Sequence, residues 1–295
     1  MLGDLKLVQP TTVGEASKAL TQYGEMARVY AGGAELLLLL RHRLLESEVL
    51  VDIKKIKSLH PIEIVDGMLR IGACVTHHAI ESSALVREYA PALAYAESQV
   101  ANVRVRNQGT LGGNLAFNDP HSDPGTVLLI HNASVIVGDA VGERRIPFDE
   151  FLLDMYATAL EPGEVLLAVE IPPLPIGMTS AYRRLHRYQR PTLGVAAGAR
   201  VHEDVLGEVR LAVGCVGPRA ERLTELEIEL QGSKLNEAKQ ILAAQKSNLR
   251  DRVRPVDDLL GSADYKLYMT GVMLEEALVQ AWQSGVSREG KQRGT

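Results

Sequence analysis

Two adjacent-glycine pairs constrain this chain more than any other feature: Gly32-Gly33 in ARVYAGGAELLLLLRHRL (residues 27–44) and Gly112-Gly113 in RNQGTLGGNLAFNDPHSDPGTVLLI (residues 106–130). Each stands between a strand-like run and polar or helix-forming residues. With no side chain in the way, the backbone there can turn sharply and come close to a ligand. Successive unpaired N–H groups at such a turn form a concavity that takes phosphate oxygens without a lysine. Either pair alone reads equally well as an ordinary turn. Together, with Asn114 and Asp123 following the second, they read as two halves of one diphosphate-and-ribose site.

The 295 residues suggest two or three compact units. Aromatics make up only 4%, so cohesion must come from Val, Leu, Ile and Ala. A formal charge of −5 with mixed signs gives no basic footprint and argues against a nucleic-acid partner. The start, MLGDLKLVQP, lacks the cationic and apolar segments of a signal peptide. The apolar run 36–40 stops at Arg41, His42 and Arg43, too short for a membrane span. Cys74 and Cys215 match no metal-ligand spacing, so no metal or iron–sulfur cluster is expected on this chain, and a cytoplasmic location is the default.

Residues 1–60 read as a strand–helix–strand unit. Thr11 or Thr12 caps a helix carrying Val13, Ala16, Ala19 and Leu20, and Gly24 stops it. A strand over 28–31, a helix over 36–45 and a strand over 48–53 follow. Residues 61–175 begin with a hairpin signal, Asp66-Gly67 between alternating segments. Helices are expected over 76–88 and 91–100, then strands at 127–130, 134–137 and 165–171. The proline cluster in IPPLP, residues 171–175, marks the clearest boundary. Beyond it, 176–295 reads as strand-rich over 180–216, then helical over 234–244 and 262–282, with a frayed polar tail from 284.

No G-x-G-x-x-G with a distant acidic residue is present, which excludes a standard nicotinamide fold. His77 and His78, adjacent on a helix, cannot share a face; capping and surface packing are expected of them. Arg104 and Arg106 alternate along an extended run, as a solvated strand face or as charge compensation for a diphosphate. Asp123 reads as an acceptor for a ribose hydroxyl, His121 as a residue of the rim, and Cys215 as a packed core thiol. There is no GxSxG elbow, HExxH, Walker loop or carboxylate pair, so no catalytic residue is assigned. What remains is a cofactor pocket without acid–base machinery.

Over almost its whole length the sequence resembles the FAD-binding medium subunits of the molybdenum hydroxylases, the xanthine dehydrogenase and carbon monoxide dehydrogenase family. The resemblance runs through AGGAEL (31–36), QVANVRVRNQGTLGGNLAFNDPHSDP (99–124) and GEVLLAVEIP (163–172). It continues through AYRRLHR (181–187) to RPVDDLLGSADYKLYMTGVMLEEAL (254–278). It implies an α+β chain, with a two-subdomain PCMH-type FAD-binding region (1–60 and 61–175) and an α+β C-terminal domain of the CO dehydrogenase flavoprotein type (176–295).

Carried over residue by residue, the resemblance implies FAD contacts at Val29, Tyr30, Ala31, Gly32, Gly33, Ala34, Glu35 and Leu36. It implies further contacts at Val100, Ala101, Thr110, Gly113, Asn114 and Asp123, with Leu166 against the isoalloxazine. Arg184, or Arg183, stands where the family usually has lysine; the loop RYQRPTLG is shorter than is common and has Gln189 where an Asp is frequent. Arginine keeps the charge but its planar fork has a different reach.

The resemblance further implies an electron-transfer subunit of an oxidoreductase. Its FAD would take electrons from two two-iron, two-sulfur clusters of a small subunit, fed by a molybdenum–pterin centre on a large subunit, and pass them to an external acceptor. A dimer of heterotrimers is the expected assembly. A free-standing flavoprotein oxidase and a non-catalytic nucleotide-binding scaffold are the alternatives.

Overall fold

The computed structural model describes residues 5–187, 189–245 and 248–293, so Tyr188 and the last two residues of the tail lie outside it. Local chemistry sets the first part. Thr12 caps α1 (Val13–Tyr23) by accepting the Glu15 amide at 3.2 Å, and Gly24, at φ 50, ends the helix. Three parallel strands, β1 (Lys6–Val8), β2 (Ala27–Tyr30) and β3 (Val49–Asp52), pair in the order β1-β3-β2. The helix expected over 36–45 is only α2 (Leu36–Arg41), because Arg43 turns left-handed at φ 57.

The second part is a five-stranded antiparallel sheet with helices above it. β4 (Ile62–Val65) and β5 (Met68–Gly72) form the expected hairpin, with Asp66 at φ 50 and Gly67 at φ 77. The helix expected over 76–88 is two, α3 (His77–Ser82) and α4 (Ala84–Tyr89). Ser83 breaks it at ψ 122 and caps α4 through the Val86 amide. After α5 (Pro91–Gln99), the run expected to be extended is α6 (Val103–Gln108), because Asn102 Oδ1 accepts the amides of Arg104 and Val105.

α7 (Leu111–Phe117) and α8 (Pro124–Ile130) follow. The strand expected at 127–130 is therefore a helix. Every residue of α8 is buried, so no polar face marks its period, and Pro124 pre-sets the first turn. The sheet is completed by β6 (Ser134–Gly138), β7 (Glu143–Pro147) and β10 (Val165–Ile171), in the order β4-β5-β10-β6-β7. Between β7 and β10 lie α9 (Phe148–Phe151) and the small pair β8 (Leu152–Asp154) and β9 (Ala157–Thr158).

The proline run leads without regular structure into the third part. There β11 (Met178–His186), β12 (Pro191–His202), β13 (Val205–Gly214) and β14 (Glu221–Arg222) form an antiparallel meander. The helices α10 (Thr224–Leu230), α11 (Leu235–Ala244), α12 (Leu249–Val253) and α13 (Ala263–Arg293) complete it. The expected frayed tail is instead helical as far as Arg293, continuing α13. The parts share cores: Tyr182, Ala196 and Ala212 belong to the cluster of Leu128 and Phe148, and Val165 and Leu167 join that of Ala16 and Val51. Among the described residues no helix is long and apolar enough to cross a membrane.

Candidate functional site

A cleft of about 690 Å³ opens where the three parts meet. Its first wall is the loop after β2. Gly33 lies at φ 72 directly over Tyr30, where a Cβ would come within 2.3 Å of the ring. Tyr30 is held in turn by Lys54, whose Nζ sits 3.5 Å from the ring centroid and donates to the Ala31 carbonyl at 3.1 Å. Among the described residues, the amides of Gly32, Gly33, Ala34 and Glu35 donate to no protein acceptor. Four consecutive unpaired donors at the edge of a cleft are an anion cradle.

The second wall differs from the sequence expectation. Gly112 and Gly113 lie in the first turn of α7, and their donors are engaged: Gly112 N to the Ala73 carbonyl at 3.0 Å, Gly113 N to Thr110 Oγ1 at 3.1 Å. Leu111 N and Asn114 N are likewise paired, with the carbonyls of Val75 and Thr110. Gly112 is a packing residue, since a Cβ there would lie 2.5 Å from that of Ala73. Gly113 is open except toward Thr110 Oγ1, at 2.9 Å. Only the first glycine pair, then, offers unpaired backbone donors.

The floor is a buried charge cluster. Asp123 Oδ1 accepts the Tyr182 hydroxyl at 2.6 Å and faces Arg184 Nε at 3.2 Å. Burial pushes the Asp123 carboxyl up to about 6, against the downward pull of Arg184 and Tyr182. Arg184 also donates to the Gln99 and Gln189 carbonyls, so it ties Asp123 to two neighbouring segments rather than lining the cleft. Asn114 Oδ1 accepts the Ser122 hydroxyl at 2.6 Å. Leu166 is buried beside the cleft, where the β10–β6 ladder slips between Leu166 and Ala168. Ala101, at φ 42, is a left-handed non-glycine on the same wall, the kind of strained backbone that gathers at functional sites.

Of the residues singled out from the sequence, Val29, Ala31, Gly32, Gly33, Ala34, Glu35, Leu36, Val100, Ala101, Thr110, Gly113, Asn114, Asp123 and Leu166 line the cleft, while Tyr30 and Arg184 support it from behind. Burial raises the Glu35 carboxyl, with Arg190 opposing. Arg104 and Arg106 do not line the cleft; Arg106 pairs with Glu81 at 3.1 Å.

His77 was expected at the surface but is buried, lines the cleft and meets Glu97 Oε2 at 2.5 Å; His78 is the exposed one of the two. Glu97 is fully buried, and the sequence carried no local signal for it. Phe117 and Tyr156, with ring centroids 5.1 Å apart, also line the cleft and were missed.

Cys215 is buried 3.7 Å from the Ser122 carbonyl, and burial drives its thiol well up, as suits a core residue. Among the described residues no cluster of three or more His, Cys, Asp or Glu could hold a metal. A dinucleotide fits this lining: four free amides for a diphosphate, a glycine-smoothed helix start, and apolar side chains for a flat ring.

The comparisons agree with that chemistry. The family described as the FAD binding domain in molybdopterin dehydrogenase matches residues 3–174, and the CO dehydrogenase flavoprotein C-terminal domain matches residues 180–281. The chain is 33% identical over 275 residues to the carbon monoxide dehydrogenase medium chain of Hydrogenophaga pseudoflava, covering 92% of this chain and 95% of the relative. It is 32% identical to the 6-hydroxypseudooxynicotine dehydrogenase complex subunit alpha of Paenarthrobacter nicotinovorans, with 92% of each covered. Among solved structures, the Hydrogenophaga pseudoflava carbon monoxide dehydrogenase lacking the Mo-pyranopterin moiety of its cofactor matches with a TM-score of 0.90 at 33% identity. That match covers 96% of this chain and 99% of the other. Quinoline 2-oxidoreductase from Pseudomonas putida 86 matches at 28% identity with a TM-score of 0.89, covering 97% and 99%.

Proposed function

The chain belongs to the family of FAD-binding subunits of the molybdopterin dehydrogenases, and from that premise we propose that it is the flavin-bearing electron-transfer subunit of a cytoplasmic molybdenum hydroxylase complex. FAD, when bound, supplies the redox chemistry; the chain supplies binding, orientation and electrostatics. The run of unpaired amides at Gly32, Gly33, Ala34 and Glu35 carries the reading, because it gives the diphosphate donors without a lysine. Gly113 keeps the facing wall low. Asn114 and Asp123 take sugar or ribityl hydroxyls; Tyr182 and Arg184 both meet Asp123 Oδ1, which leaves Oδ2 for a ligand. Val100, Ala101 and Leu166 wall the isoalloxazine from water.

The relatives' designations as a medium chain and as a complex subunit support partners: a large molybdenum-binding subunit and a small iron–sulfur subunit, paired as a dimer of heterotrimers. Electrons enter from the iron–sulfur subunit and leave to an external acceptor. The test is anaerobic flavin bleaching. The chain alone should retain oxidised FAD against aldehydes, N-heterocycles and carbon monoxide, and the complex reconstituted with both partners should bleach with its substrate. Rapid bleaching by an organic substrate without partners would establish a free-standing oxidase instead.

A further inference from the structure

His121 is the point where the loop carrying Asp123 meets the C-terminal part of the chain. Its amide donates to Asp119 Oδ1 at 2.9 Å, which turns the loop. The ring then bridges outward. Nδ1 lies 2.9 Å from the Pro191 carbonyl at the start of β12, and Nε2 lies 3.2 Å from Asp258 Oδ2, in the segment before α13. The Pro191 carbonyl only accepts, so Nδ1 carries the proton of that hydrogen bond, and Nε2 faces the Asp258 carboxylate.

Asp258 is held ionised. Burial pushes its carboxyl up, but hydrogen bonds from Lys266 and from the Leu260 amide bring it below the usual range. Lys266, wholly buried on α13, donates to the same Oδ2 at 2.5 Å and to the Val256 carbonyl at 3.1 Å.

We propose that His121 is a positioning residue of the cleft: it locks Ser122 and Asp123 to β12 and to the Asp258–Lys266 pair, and so sets the affinity for FAD. The inference rests on the reading of the cleft as an FAD site. His121 acts through the loop it holds, because its two ring nitrogens face Pro191 and Asp258. The charged groups around it are Asp119, paired with Arg190 at 2.8 Å, then Asp123, Asp258 and Lys266. His186 is a second imidazole in the neighbourhood, close enough to lower the Asp123 carboxyl.

In the full chain carrying isotope-labelled histidine, assigned with His121→Gln, nuclear magnetic resonance should show a proton on His121 Nδ1 held in a hydrogen bond. In calorimetric titrations with FAD, His121→Gln and Asp258→Asn should each bind roughly tenfold or more weakly. A His121 Nδ1 that carries no proton, or a His121→Gln chain with unchanged affinity, would overturn the inference and leave the FAD site standing. An unaltered chain that binds no FAD would overturn the FAD reading and this inference with it.

Discussion

Gly32 packs directly onto Gln108: a Cβ at Gly32 would lie 2.1 Å from the Gln108 carbonyl oxygen and 2.9 Å from the Gly109 Cα. This contact joins the loop after β2 to the junction of α6 and α7, so the two glycine-bearing segments form one continuous wall. A methyl group at Gly32 would force rigid backbone apart on both sides. Gly32→Ala is therefore expected to cost about 1–3 kcal/mol by overpacking and to lower FAD content, read by thermal unfolding and flavin absorbance.

The two glycines of the second pair should separate fold from binding. Gly112→Ala places its methyl into Ala73 and is expected to cost about 1–3 kcal/mol in stability. A Cβ at Gly113 meets only the Thr110 hydroxyl, so the Gly113→Val chain should fold within about 1 kcal/mol of the unaltered protein while binding FAD far more weakly. Denaturant unfolding and FAD titration on the same samples decide it; equal flavin affinity in Gly113→Val would remove that residue from the site.

Asp123 carries a pH dependence of known sign. Its carboxyl is raised from 3.8 to about 6, mainly by burial, so the folded chain binds this proton more tightly than the unfolded chain. Its contribution makes stability fall as pH rises between those values and level off above them. Asp123→Asn should abolish that slope. The same substitution should weaken FAD binding about tenfold or more. Thermal midpoints followed against pH, with and without FAD, check both halves.

Arg184 is expected to be intolerant of lysine. Its guanidinium serves the Gln99 and Gln189 carbonyls and Asp123 together, which an ammonium on a single stem cannot do. Arg184→Lys should cost about 1–2 kcal/mol of stability, and Arg184→Ala about 3–5 kcal/mol because it leaves Asp123 buried without its counter-charge. Urea unfolding of the two variants is the measurement.

What was legible in the sequence is what short-range chemistry fixes. Thr12 and Gly24 bound α1, and Asp66-Gly67 turns the β4–β5 hairpin, each by a cap or a left-handed residue within the segment itself. α8 was hidden because all its residues are buried, so a helix and a core strand look alike. α6 was hidden because VRVRN mimics a strand's alternation; Asn102, as its cap, was the available signal. The glycine pairs located the cleft, but that the Gly112 amide is paired depends on the carbonyl of Ala73, distant in sequence. His77 was misplaced for the same reason, since its partner Glu97 stands 20 residues further on.

The central claim is that one FAD lies in the cleft, held without a covalent bond by the amides of Gly32, Gly33, Ala34 and Glu35. The most direct measurement is the flavin recovered from purified full-length chain after acid precipitation, set beside Gly113→Val prepared in the same way. The account expects close to one FAD per unaltered chain, all of it in the supernatant, and almost none from the variant. Flavin that stays with the precipitate, or equal recovery from both proteins, would contradict it.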